Sequence, residues 1–446
     1  MVSVLFSVTP LLGGIGILLL GHGLLGTLVG VGLADMDAGA TVSGLVMASY
    51  FLGLILGALK VSSVIGAVGH VRTFAAFASL YSAASLAHAF LLDPWLWGAL
   101  RLVEGFTMAG LFMCAESWLN ARGTAETRGT LLSAYMIITY FFQGVAQFLL
   151  LLGQTNGFML FALVSILTSV ALVPVAITRI PAPDLPEISS FSLFRLFRIS
   201  PTGMFGALTA GLVLGSFYSL GPLYARTLGL DLTGVASFMS AVIIGGLLLQ
   251  WPLGRLSDRM DRRLIIAGTS LALVLACLCL IGGQWVGIDL SQSLDKGVFL
   301  GSAVLFGAVV TTLYPVSVAL VNDRLDPVDM VSASGGLLFT YSIGAVIGPL
   351  VASAIMEGIG PSGLFLFSGF VALGMFAYTI LRMRTREAAP EEEKLPFQIV
   401  ARTTPVATEL DPRADYDDGQ LSFDFNAVAP TEKGGADVED AERSAA

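Results

Sequence analysis

GRLSDRMDRR, Gly254 to Arg263, puts four arginines and two aspartates between two long apolar runs, residues 232–253 and 264–286. An apolar run of about 20 residues crosses the ~30 Å hydrocarbon layer as a helix, so this charged stretch reads as a tight loop between two membrane spans. The pattern repeats outward in both directions. Apolar runs occupy 9–33, 40–60, 72–92, 95–119, 130–153 and 157–178 before a polar break. Beyond it they occupy 201–225, 232–253, 264–286, 298–321, 331–356 and 361–381. Composition agrees, because 55% of the 446 residues are hydrophobic and only 12% charged, against roughly 25% charged in a soluble domain.

The break from Thr178 to Ser200 carries Pro181, Pro183 and Pro186 and divides the spans six and six. The expected organisation is a six-helix bundle over 1–178, a linker over 179–200, a second bundle over 201–382 and a tail over 383–446. VGHVRTF, Val68 to Phe74, occupies the loop of the first half that matches Gly254 to Arg263, with Gly69 opposite Asp261 and His70 opposite Arg262. A glycine, an aspartate-arginine pair and a closing arginine pair in such a loop resemble the signature of the major facilitator superfamily. VGHVRTF together with ESWLN at 116–120 is similar to its bacterial YcaD-like branch. The resemblance implies an all-α membrane protein of twelve transmembrane helices in two pseudo-symmetric bundles, a small-molecule solute and a monomer. The first-half signature is degenerate, with Gly66 and Ala67 where the family usually has aspartate and arginine.

Basic residues near span ends stay on the cytoplasmic side. With both termini cytoplasmic, all of the 23 Lys and Arg except Arg101, Arg226 and Lys296 fall on that side. A bacterial inner membrane, crossed many times, is the expected location. The net charge of -9 belongs to the tail, where Glu387 to Ala446 hold 15 acids and 5 bases. That segment reads as disordered for want of apolar residues, with a solvated tail favoured over a regulatory one. Cys114, Cys277 and Cys279 all lie in spans and imply no disulfide framework. No base precedes the first run, so it reads as a retained helix and not a secretory signal.

RLVEG in the fourth span places Arg101 and Glu104 on one helical face. Charge inside the bilayer is costly, and such residues normally face a bundle interior or a wet cavity. One reading is a proton-coupling or substrate site, with Arg101 favouring the charged glutamate; the other is a static neutralised pair. Arg101 followed by Gly105 also resembles the family's fourth-helix motif, whose arginine is associated with proton coupling. Tyr140, Gln143 and Gln147 form one polar stripe on the fifth span, facing either substrate or a neighbouring helix. His22 lies between two glycines in the first span, as a cavity group or a bonded interior one. Tyr218, Gln250, Tyr314 and Tyr341 are the uncharged groups with which the second half could complement the site.

At the cytoplasmic face, Gly254, Asp258, Arg259, Arg262 and Arg263 form a candidate gate, since a carboxylate flanked by arginines can join helix ends. Anchoring at the membrane surface is the alternative role of the arginines. Glu116 could pair with Arg72 or Arg128, and Trp118 reads as an interfacial anchor. Gly344, Gly348 and Pro349 in GAVIGP suit a helix that bends and resemble the family's antiporter signature, which it normally carries on the fifth helix.

The chain has no HExxH, GxSxG or phosphate-loop motif, so neither enzyme nor ATP-driven pump is expected. No metal, cofactor or nucleic-acid partner is implied; a proton gradient would supply the energy. The expected function is a secondary transporter that alternates access around a midplane cavity, proton-coupled and exporting. A transporter-like receptor or scaffold signalling through the acidic tail is the alternative.

Overall fold

Long helices account for nearly all of the computed structural model, which describes residues 2–124, 126–153, 157–177, 193–285, 293–325, 329–385 and 394–411. All lie in one compact unit, Met1–Ala414. Most of the linker, including its three prolines, and the chain from 412 onward lie outside the described residues.

The first six helices are α1 (Val2–Asp35), α2 (Ala40–Val68), α3 (His70–Ala87), α4 (Pro94–Asn120), α5 (Arg128–Phe148) and α6 (Gly157–Ile177). A short α7 (Leu193–Ile199) ends the linker. The second six are α8 (Pro201–Thr227), α9 (Leu232–Arg259), α10 (Arg262–Trp285), α11 (Ser293–Asn322), α12 (Met330–Ile359) and α13 (Gly363–Thr385). Eleven of the twelve long helices among the described residues are long and apolar enough to cross a membrane; the remaining one is α3, of 18 residues. No strand occurs among the described residues. At the end of this polar break LFRLFRI folds as α7, burying Leu196 while Arg195 pairs with Asp329 at 2.9 Å.

Local chemistry sets the boundaries. Asp93 and Asp231 cap α4 and α9, accepting from Leu96 N and Gly234 N at 2.8 Å each; such caps satisfy donors that the first turn leaves open. Pro94 and Pro201 follow their caps, where a missing N–H costs nothing. Between α2 and α3 the chain turns at Gly69, whose φ of 86° favours glycine. α3 begins at His70 and α10 at Arg262, which is the correspondence that the loop comparison gives.

Helix pairing repeats between the halves. In the first, α2 packs on α4, α1 on α5 and α6, and α3 on α4 and α6; in the second, α9 packs on α11, α8 on α12 and α13, and α10 on α11 and α13. Lipid tails are as apolar as leucine, so close backbone approach replaces hydrophobic drive here. A Cβ on Gly105 of α4 would meet the Tyr50 carbonyl of α2, and one on Gly307 of α11 would meet the Val242 carbonyl of α9. Large apolar side chains such as Ile137, Ile166, Phe370 and Leu381 point outward, as lipid-facing positions should.

The halves meet through α2 with α12, α5 with α9, and α1 with α8. Two ends of the bundle are distinct. At the basic end, α4, α9 and α11 finish and α5, α10 and α12 begin; at the far end, α1, α8 and α12 finish. Trp118 is not an interfacial anchor. It is buried at the basic end against His70 and Phe74, with ring centroids 6.0 and 5.8 Å away.

A larger departure concerns the tail. Composition predicts disorder from residue 383, but α13 continues to Thr385, and residues 394–411 pack into the basic end, with Val400, Ala401, Val406, Ala407 and Leu410 buried. The acids around this segment mask its short apolar core, PFQIVA, when composition is averaged over the whole tail.

Candidate functional site

A cavity of about 460 Å³ lies between the two halves, within the usual few-hundred to thousand Å³ of small-molecule sites. His22, Arg101, Tyr140, Gln143 and Gln147 of the first half line it, and Tyr218, Ser219 and Tyr341 of the second. The fifth-span stripe therefore faces the cavity along its whole length. Gln147 is also tied to α1, where Thr27 donates to its Oε1 at 2.6 Å and its own Nε2 donates to the Gly23 carbonyl at 3.2 Å. Gln250 is buried outside the cavity wall, and Tyr314 sits behind Tyr341 with ring centroids 5.3 Å apart.

Arg101 and Glu104 meet as their spacing requires, Nη1 donating to Oε2 at 2.9 Å. Arg101 lines the cavity with its guanidinium 4.4 Å from the centre of the Tyr50 ring, a cation–π contact. Glu104 lies behind it, fully buried and off the cavity wall. The sequence reading did not single out His88, which completes this cluster. Its Nδ1 donates to the Ala84 carbonyl at 2.9 Å and stands 3.4 Å from Glu104 Oε1. Phe161 stacks on its ring at 5.6 Å. Glu104 Oε1 and His88 Nε2 have no hydrogen-bond partner among the described residues. A buried carboxylate oxygen in that position can accept a proton without breaking an existing bond.

His22 is held by two tyrosines, Tyr81 hydroxyl at 3.1 Å from Nδ1 and Tyr50 hydroxyl at 3.4 Å from Nε2. Tyr50 touches both His22 and Arg101. Tyr50 thus stands between His22 and the Arg101–Glu104 pair, bonded to one through its hydroxyl and in contact with the other through its ring face.

The far end is closed by bonds across the halves that the sequence reading did not foresee. Arg226 of α8 pairs with Asp35 of α1 at 2.6 Å. The Glu357 carboxylate of α12 accepts from the backbone N–H groups of Ala40 and Thr41 at 2.8 and 3.1 Å, at the start of α2.

The basic end is filled by residues 394–411. Glu116 accepts from Tyr135 at 2.7 Å and from the hydroxyls of Thr403 and Thr404, while Arg72 is exposed. Asn120 donates to the Val406 carbonyl at 2.8 Å. Arg262, almost wholly buried, donates to Asp323 at 2.7 Å, to Ser257 at 3.0 Å and to the Leu395 carbonyl, and lies 3.3 Å from Asp258. Asp258 accepts from Phe397 N, and a Cβ on Gly254 would collide with the Phe397 ring. Arg263 instead clasps Asp261 with bonds of 2.7 to 3.1 Å. Burial would raise the Asp261 carboxyl, but its bonds from Arg263 hold it below the usual carboxylate range. Arg259 is exposed and stays outside this network. Gly344 and Gly348 lie where α12 rides on the backbone of α8, a Cβ on either meeting Leu208 or Leu212.

The sequence pattern of the Major Facilitator Superfamily matches residues 11–294 and 290–411. The chain belongs to the major facilitator superfamily. It is 28% identical over 376 residues to an uncharacterized MFS-type transporter of Enterobacter sp. (strain 638), covering 84% of this chain and 94% of the relative. It is 27% identical over 383 residues to the uncharacterized MFS-type transporter YcaD of Shigella flexneri serotype 5b, covering 85% and 96%. Among solved structures it resembles the nucleoside transporter NupG, with a TM-score of 0.72 at 13% identity over 85% of this chain and 100% of that one; that likeness speaks to the fold. The major facilitator chain is thus a multi-pass membrane transporter of the YcaD-like branch.

Proposed function

We propose that this chain is a proton-coupled secondary transporter of the bacterial inner membrane that exports a small solute by rocking its halves about the cavity. The observation that carries this reading is the buried cluster of Arg101, Glu104 and His88 directly behind the cavity wall. With both termini inside, the basic end is cytoplasmic and the far end external. The state described is then closed outside by the Asp35–Arg226 and Glu357 bonds, with its cavity directed inward.

The coupling step follows from electrostatics. While Glu104 is charged, Arg101 is neutralised and held against it. A proton taken up on Glu104 from outside weakens that pair and frees the guanidinium toward the cavity, where it competes with the solute. Release of the proton to the inside restores the pair. Alternating access follows if the far-end bonds break when the basic end closes.

Solute-driven proton movement in vesicles of purified protein tests this, using a panel of small cationic, neutral and anionic solutes with native chain and Glu104→Gln. Coupled movement that disappears in the variant is the expected outcome. Proton-coupled transport that survives Glu104→Gln defeats the mechanism.

A further inference from the structure

The segment between the halves carries one charge into the cavity. Arg402 reaches past the Glu116 cluster, and its Nη2 donates to the Tyr140 hydroxyl at 3.2 Å. Tyr140, Tyr218 and Tyr341 line the same cavity as Arg402, and Tyr314 stands behind Tyr341. The three lining tyrosines come from α5, α8 and α12, so helices of both halves place a phenol on the cavity that the guanidinium enters. No Asp or Glu is among the described residues that line this cavity. The nearby base on the cavity wall, Arg101, is already neutralised by Glu104.

Charge in a membrane interior is normally avoided unless the surroundings compensate. Here the Tyr140 phenolic oxygen accepts from the guanidinium, and cavities rich in tyrosine can hold guanidinium and ammonium groups by hydrogen bonding and attraction to ring faces. The fit is incomplete. Among the described residues, Arg402 Nη1 is buried without a hydrogen-bond partner, and so is Ser219 Oγ on the cavity wall beside Tyr218. An occupant with a donor on that side would satisfy Ser219 Oγ, which Arg402 leaves open.

The geometry points to the tyrosine-lined cavity around Arg402 as the solute site, selective for a small organic cation bearing a guanidinium or amine, with Arg402 as an internal occupant that the solute must displace. This deepens the transporter reading and rests on it for the word solute, but the site itself is a matter of binding. Residues 394–411 then act as a plug. Bonds to Glu116, Asn120, Asp258 and Arg262 hold the segment in place, and its arginine mimics the cargo.

The test is equilibrium binding to the full-length chain in detergent, by calorimetry, with N-acetylarginine amide as probe. Its neutral citrulline counterpart and the anion N-acetylaspartate serve as controls. Arg402→Ala should bind the cationic probe at least about tenfold more tightly than the native chain, and neither control. Arg402→Lys, which keeps a cation in the cavity, should stay close to native. Tyr140→Ala with Tyr341→Ala, added to Arg402→Ala in a monodisperse protein, should lose the gain. Equal binding by native and Arg402→Ala chains, no discrimination against citrulline, or anion binding that needs Arg402 would each overturn the proposal. Binding needs no gradient, so a chain that binds the cation but moves no protons counts against the transport mechanism and leaves this site standing.

Discussion

The Asp258 carboxylate on α9 accepts the backbone N–H of Phe397 at 2.9 Å. This joins the signature loop to a segment that follows the last long helix. The same carboxylate lies 3.3 Å from Arg262, which bonds to Asp323 and to the Leu395 carbonyl. The loop charges therefore hold the plug as well as one another.

Asp258→Ala removes one acceptor from a partly exposed site, and a charge-assisted bond there is worth about 1 kcal/mol after solvent screening. The expected result is a roughly fivefold rise in exposure of the plug, read as faster thiol labelling of Thr403→Cys. Gly254→Leu, which puts a side chain where the Phe397 ring lies, should raise labelling further. Unchanged labelling in both would mean that the loop does not hold the segment.

Arg101→Ala leaves Glu104 buried beside His88 with no cation of its own. Removing one partner of a buried pair costs about 3–5 kcal/mol, so the melting temperature in detergent should fall clearly. Arg101→Ala with Glu104→Gln should recover most of the loss, because no unpaired charge remains. A double variant as unstable as the single one would contradict the pairing.

How these sites relate to the sequence depends on the range of the signal. Runs of apolar residues mark the spans, since the bilayer demands a fixed helix length, and the three-residue spacing of Arg101 and Glu104 fixes their contact within one helix. His88 was missed because it ends α3 and meets Glu104 only through helix packing. Asp323 was missed for the same reason, standing just beyond α11 and reaching Arg262 across the basic end. Trp118 looked interfacial from its position at a span end, yet α3 covers it. The plug was hidden by the acids on either side, although PFQIVA within KLPFQIVARTTP was a visible apolar signal.

Gly307→Val would drive a side chain into the Val242 carbonyl at the crossing of α9 and α11. Overpacking of this kind costs about 1–3 kcal/mol and should lower thermal stability. Gly301→Val on the same helix has no such neighbour and should leave it almost unchanged. Equal effects would contradict the glycine contact.

Acid should weaken the α9–α10 turn through Asp261. Its folded-state carboxyl is held below the unfolded value by Arg263, so its contribution is present above the ordinary carboxylate range and is lost as pH falls through the depressed value. Asp261→Asn should therefore melt lower than native at neutral pH, with the gap closing under strong acid. A gap independent of pH would contradict this.

The Asp35–Arg226 pair is partly exposed on both sides, and such pairs are worth about 0–1 kcal/mol. Asp35→Ala should thus shift the conformational balance toward an open far end by at most about fivefold without unfolding the protein. Accessibility of a cysteine placed at Met47 in the cavity, read from the outside of whole cells, reports that shift.

Rocking of the halves is tested most directly by spin-label distances across both ends. One pair sits at Asp37 and Thr227 on the far end, the other at Ala121 and Met260 on the basic end. In Arg402→Ala protein, acidification should lengthen the far-end distance while shortening the basic-end distance. Distances that stay fixed at both ends, or that change in the same direction, would contradict alternating access through this cavity.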